Sequence, residues 1–154
     1  MRDKFYETSP EAVKIQRSLG EYLAAGPLGK ALVELVYLRV SQINGCAYCL
    51  DMHATALRKL DVDQRKMDVL AGWREAHSLF DERELLALEV VEALVPNTRD
   101  GISDELYARA RKMFDGREMT DLVFTIGLIS SWNRVAIAFH AELPRRAPAK
   151  AAAA

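Results

Sequence analysis

The sequence predicts an all-helical fold, and three observations predict it. Breakers are scarce, with five prolines and eight glycines in 154 residues. Alternating apolar–polar runs of the strand type are few. Most segments between breakers repeat apolar residues at helical spacing and open on capping residues. Half of the residues are apolar, enough for one packed core, so we expect a compact domain of about six to eight helices over residues 1–143, with 144–154 as a disordered tail. A formal net charge of −1 with interspersed signs offers no basic footprint for nucleic acid or anionic membrane. No apolar run has the length of a bilayer span and no charged start precedes an apolar stretch, so the expectation is a soluble, cytoplasmic protein.

Residues 1–8 lack periodicity and read as an arm. Ser9-Pro10 supplies a cap and a proline at the first helical position of a helix reaching about Ala24, before Gly26-Pro27. Its expected inner face is Ala12, Ile15, Leu19, Tyr22 and Leu23. The next helix, about Leu28 to Ile43, is apolar on nearly every side, which places it inside protein. Two charges interrupt it, Glu34 and Arg39, and Arg39 needs a partner. Asn44-Gly45 ends that helix, since glycine tolerates the left-handed backbone of a helix terminus. Cys46 to Leu60 forms a fresh helix at the centre of the domain.

Asp63 caps a helix carrying Met67, Val69 and Leu70 that weakens at Ala71-Gly72. Residues 73–80 read as a short helix or connector with His77 on the surface. Asp81 starts a strong helix that ends at Pro96-Asn97. Ser103 begins another, through Phe114 and stopping near Gly116. Thr120-Asp121 opens the last helix, whose apolar run is broken by Ser130-Ser131-Trp132-Asn133-Arg134; that polar cluster could line a pocket, mark a kink or reach a second subunit. His140 is expected as a C-terminal helix residue, favourable against the dipole.

The chemistry concentrates in Gln42–His53, which holds both cysteines. At about 100° per residue, Cys46, Cys49, His53, Ala56, Leu57 and Leu60 share one stripe of their helix, with Asp51, Thr55, Arg58 and Lys59 opposite. Cysteines three apart on a first helical turn have Cα atoms roughly 5 to 6 Å apart, within the reach of a disulfide. The helix N-terminus favours a thiolate. His53 lies one turn after Cys49 and two after Cys46, which makes Cys49 the attacking thiolate and Cys46 its resolving partner, although the dipole alone favours Cys46. Glu34, acidic in an apolar helix, can exchange protons near neutral pH. If the helices on either side of Asn44-Gly45 fold back, Glu34 and His53 lie roughly 15 and 12 Å from the hinge, close enough in depth for a proton path. Pairing of Glu34 with Lys30 or Arg39 for purely structural purposes is an equal alternative.

Glu34, Cys46, Cys49 and His53, within Ser41-Gln42-Ile43-Asn44-Gly45-Cys46-Ala47-Tyr48-Cys49, resemble the core of the AhpD-like alkylhydroperoxidase branch of the carboxymuconolactone decarboxylase family. Ile129–Ala136 is similar to that family's closing helix. The resemblance implies that Cys49 attacks a hydroperoxide, Cys46 resolves the sulfenic acid, and Glu34 and His53 relay protons. It further implies a homo-oligomer (trimer or hexamer), reduction by a dithiol protein of the dihydrolipoyl or thioredoxin-like kind, and no cofactor. Tyr48 stands where the best-known members carry a histidine. Three rival readings remain at this level: a zinc site built from Cys46, Cys49 and His53; lactone decarboxylation, which has no use for a dithiol; and a non-catalytic helical oligomer whose cysteines only fill the core.

Overall fold

The computed structural model describes residues 1–96 and 99–144. Among them are eight α-helices and no strand. They are α1 (Phe5–Thr8), α2 (Pro10–Ala24), α3 (Lys30–Asn44), α4 (Ala47–Lys59), α5 (Gln64–Asp68), α6 (Glu82–Leu94), α7 (Asp104–Met113) and α8 (Gly116–Ala138), with two 3-10 segments, Leu70–Glu75 and His77–Leu79, between α5 and α6. The all-helical expectation therefore holds. None of these helices is long and apolar enough to cross a membrane. The tail beyond Pro144, and Asn97 in the expected helix stop, lie outside the described residues.

Helix α3 is the axis of the fold because it is apolar all round. Leu32, Val33, Leu35, Val36, Tyr37, Leu38 and Val40 are all buried, and α2, α4, α6 and α8 pack around them. One side joins the larger core with Val90, Leu122, Ile126 and Ile129. The other meets Leu57, Leu70, Trp73 and Leu88. Truncating a fully enclosed member such as Leu35 would cost about 2–5 kcal/mol in lost transfer energy and cavity formation.

Arg39, the charge in α3 that needed a partner, finds two. Its guanidinium donates to Glu92 Oε1 of α6 at 2.7 Å and to Gln42 Oε1 at 3.0 Å, while Trp73 Nε1 and Arg74 donate to the same Glu92 carboxylate. Burial alone would push Glu92 up; the donors from Trp73, Arg39 and Arg74 outweigh it and hold the carboxyl below its ordinary range.

Four sequence expectations are corrected. The arm is not featureless: Phe5 sits on a turn of helix and packs on Trp132 and Phe139. Helix α2 buries Leu23 and packs Leu19 on the core as expected, but it also buries Val13 and leaves Ile15 68% and Tyr22 50% exposed, its Gly20 side lying against Leu128 and the Tyr37 hydroxyl. Helix α8 starts at Gly116 rather than Thr120, since Asp115 and Glu118 form a reciprocal capping box there. His140 lies past the helix end with a positive φ of 53°, not within the last turn.

Candidate active site

The hairpin of α3 and α4 builds the site. Gly45 takes φ 69°, ψ 31° and closes α3 through its N–H on Gln42 O. The chain reverses at once, and Cys46 becomes the N-cap of α4. A sulfur replaces the usual cap oxygen: the Cys49 backbone N–H donates to Cys46 Sγ at 3.3 Å.

The expected stripe does face inward. Cys46, Cys49 and His53 are 1%, 3% and 8% exposed, and Leu57 is fully buried. Both cysteines are free thiols. Of the partners open to Glu34, the structure brings His53 into direct contact: Oε2 lies 2.8 Å from His53 Nδ1. The contact occupies Nδ1 and leaves Nε2 as the ring nitrogen able to exchange a proton elsewhere. Tyr37, one turn on from Glu34, packs its ring 4.9 Å from the imidazole; burial pushes its phenol well up, with the Glu34 charge adding to the effect. On the opposite side Glu34 lines an open cleft of about 460 Å³, together with Lys30, Met52, Ala56 and Lys59. The carboxylate thus touches a buried imidazole and an open cleft at once.

The electrostatics of the two sulfurs differ from the sequence expectation. The Cys49 thiol donates to Cys46, and this bond, with backbone N–H groups and the Asn133 amide, outweighs burial and lowers the Cys46 thiol to about 7. Cys49 is pushed up, first because its proton is held in the bond to Cys46 and second because it is desolvated. Of the two sulfurs, Cys46, at the helix terminus, is therefore the one whose charged form its surroundings favour.

Two residues that the sequence did not mark as site residues lie next to the site. Ser41, fully buried on α3, and Asn133, fully buried on α8, are bonded through Asn133 Nδ2 to Ser41 Oγ at 3.0 Å, and Asn44 Nδ2 donates to Asn133 Oδ1 at 2.9 Å. Of the three roles open to the polar cluster around Asn133, a kink is not the one taken, since α8 runs unbroken through it; Asn133 instead ties α8 to the end of α3. Helical spacing held a signal, because Tyr37 and Ser41 follow Glu34 by three and seven residues on one face of α3. Among the described residues, no three His, Cys, Asp or Glu side chains are grouped as metal ligands, which gives the rival zinc reading of Cys46, Cys49 and His53 no support.

The chain has relatives that share this architecture. Residues 10–93 match the carboxymuconolactone decarboxylase family. The uncharacterized protein YdfG of Bacillus subtilis (strain 168) is 38% identical over 139 residues, covering 89% of this chain and 92% of that one. A crystal structure from Agrobacterium tumefaciens, of a protein of unknown function described as a candidate AhpD of antioxidant defence, superposes with a TM-score of 0.87 at 31% identity, over 94% of this chain and 99% of its own. An uncharacterized peroxidase-related protein from Silicibacter sp. TM1040 superposes with a TM-score of 0.78 at 26% identity, over 88% of this chain and 71% of its own. With its family match, its relatives and its helical hairpin all in agreement, this chain belongs to the carboxymuconolactone decarboxylase family and has the AhpD-like fold.

Proposed function

We propose that the protein is a thiol-dependent peroxidase that reduces organic hydroperoxides through Cys46 and Cys49, with His53 and Glu34 relaying protons. The observation that carries this reading is the direct Glu34–His53 contact beside two buried, hydrogen-bonded thiols. A packing role for the cysteines would need neither the acid nor the imidazole. The peroxidase-related and AhpD descriptions of the structural neighbours agree with it.

Each step follows from the groups in place. The Cys46 thiolate takes the proton of Cys49, and the Cys49 thiolate so formed attacks the terminal peroxide oxygen. The O–O bond breaks, Cys49 becomes a sulfenic acid, and the leaving alkoxide is protonated from His53. The Cys46 thiol then condenses with the sulfenic acid, forming the disulfide and releasing water. Starting from a dithiol monoanion, the cycle consumes one external proton, which reaches His53 through Glu34 from the open cleft. A dithiol protein restores both cysteines by exchange. We assign the attack to Cys49 because His53 lies one turn from it, with Cys46 as its base and later its resolving partner. The apolar side chains that α2 and α8 leave exposed, Ile15, Tyr22 and Phe124, suit a homo-oligomer, whose subunit number light scattering would give.

Thiol titration tests the reading. One equivalent of cumene hydroperoxide should remove two thiols, and a dithiol should return both. Inert thiols, or turnover of a lactone acid that survives Cys46→Ser, would overturn it.

A further inference from the structure

The cleft on the open side of Glu34 has an uneven charge. Its volume of about 460 Å³ falls within the range of roughly 300–1,000 Å³ usual for small-molecule sites. Lys30 of α3 and Lys59 of α4 line it together with Glu34, Met52, Ala56 and Leu60. Lys30 precedes Glu34 by one helical turn, within reach of an ion pair, yet the carboxylate lies 2.8 Å from His53 instead. Among the described residues neither lysine has an ion-pair partner. Two free cations against one engaged carboxylate make the cleft positive in a chain whose formal net charge is −1. The rest of the wall is largely apolar. Met52 is 40% exposed, and its thioether is an adaptable surface for hydrocarbon. Ala56 and Leu60 continue the α4 stripe that carries Cys49 and His53, three and seven residues past the histidine. The apolar wall therefore runs from the lysine end of the cleft toward the imidazole. Lys59 follows Cys49 by ten residues, which is about 15 Å along the helix axis.

We propose that this cleft binds an amphipathic carboxylate, with its acid group on Lys30 and Lys59 and its hydrocarbon along Met52, Ala56 and Leu60, the far end toward Glu34 and His53. The substrate class that follows rests on the peroxidase reading: the cleft selects hydroperoxides that carry a carboxylate on the order of 15 Å from the peroxide, as those of long-chain fatty acids do, over neutral ones. The hydroperoxy acid and two thiols then give the hydroxy acid, water and one disulfide. The O–O bond takes two electrons and breaks, the S–S bond forms, and both thiol hydrogens end in the alcohol and the water. The carboxylate takes no part in that chemistry, so its effect falls on binding and on kcat/KM through binding.

Binding can be measured apart from turnover. Octanoate and octanol are titrated into the reduced protein by calorimetry, in wild type, in the double variant Lys30→Gln/Lys59→Gln and in Met52→Ser. All three side chains are exposed, so the fold should tolerate the changes. Wild type should prefer octanoate, and salt should erode that preference because it screens exposed charges. The double variant should bind octanoate about 3- to 20-fold more weakly, as expected for the loss of two solvent-facing ion pairs, and should no longer favour it over octanol. Met52→Ser should weaken both ligands. In turnover, the ratio of kcat/KM for linoleic acid hydroperoxide to that for its methyl ester should exceed one in wild type and fall toward one in the double variant. Equal wild-type affinity for acid and alcohol, no binding of octanoate, or an acid preference that survives the loss of both lysines would overturn the proposal. Octanoate binding in the expected pattern by a protein inert toward every hydroperoxide would uphold the cleft and remove the peroxidase reading; rapid turnover without any acid preference would do the reverse.

Discussion

Replacing Glu34 by Gln isolates the proton relay. The new side chain has the same shape and can still hydrogen-bond His53 Nδ1, so packing should survive; what disappears is a negative charge 2.8 Å from the imidazole, in a contact whose side chains are only 10% and 13% exposed. A charge-assisted hydrogen bond in such surroundings is worth about 1.5–3 kcal/mol. At about 1.4 kcal/mol per decade, losing that much stabilisation of the proton transfer slows it roughly 10- to 100-fold. The rate of disulfide formation after mixing with cumene hydroperoxide, followed by stopped flow, should fall by that factor. The loss of stability should stay below that interaction energy, because the amide keeps the shape and a hydrogen bond to the imidazole. A Glu34→Gln variant that reacts at the wild-type rate within about twofold would refute the relay and return Glu34 to a structural role.

Three further outcomes are expected. Because Cys46 is lowered from 9.0 to about 7 in the fold, the reduced protein should gain stability as pH rises from about 7 to about 9, on the order of 2 kcal/mol, and lose it as pH falls back through 7; Cys46→Ser should flatten that slope in urea melts at fixed pH values. Glu92→Ala strips Arg39 of its ion pair where the arginine side chain is only 13% exposed, and should destabilise by about 2–4 kcal/mol in chemical denaturation, more than an exposed pair would. Gly45→Ala forces a Cβ into a left-handed turn at φ 69° and should cost about 1–2 kcal/mol while slowing disulfide formation, because the turn sets the start of α4.

The parts of this architecture that were legible in the sequence are those fixed by local chemistry. Proline at the start of α2, glycine after α3 and the unbroken apolar run of α3 each act through neighbours in sequence, and each appears where expected. So does the inward stripe of Cys46, Cys49 and His53, because 3.6-residue periodicity decides it. What could not be read depends on contacts between distant segments. On α2 the burial of Leu23 was legible, but that Val13 is buried while Ile15 and Tyr22 stay exposed follows from which side of the helix, around Gly20, meets Leu128 of α8. Glu34 had two chemically sensible partners within its own helix; it reaches His53 instead because α3 and α4 are antiparallel at contact distance. The charge on the sulfurs was harder still. Spacing from His53 favours Cys49, whereas the helix terminus and a backbone N–H on its sulfur favour the charged form of Cys46. Asn133 lies about 90 residues from Ser41 and Asn44, and nothing in local sequence links them.

The most direct measurement compares Cys49→Ser with Cys46→Ser in their first reaction with hydroperoxide, using a sulfenic-acid trap and mass spectrometry. The account predicts no adduct in Cys49→Ser and a trapped sulfenic acid at Cys49 in Cys46→Ser, formed more slowly than in wild type because the local base is gone. A sulfenic acid at Cys46 in Cys49→Ser, with none at Cys49 in the other variant, would make the resting thiolate itself the attacking group and contradict the assignment.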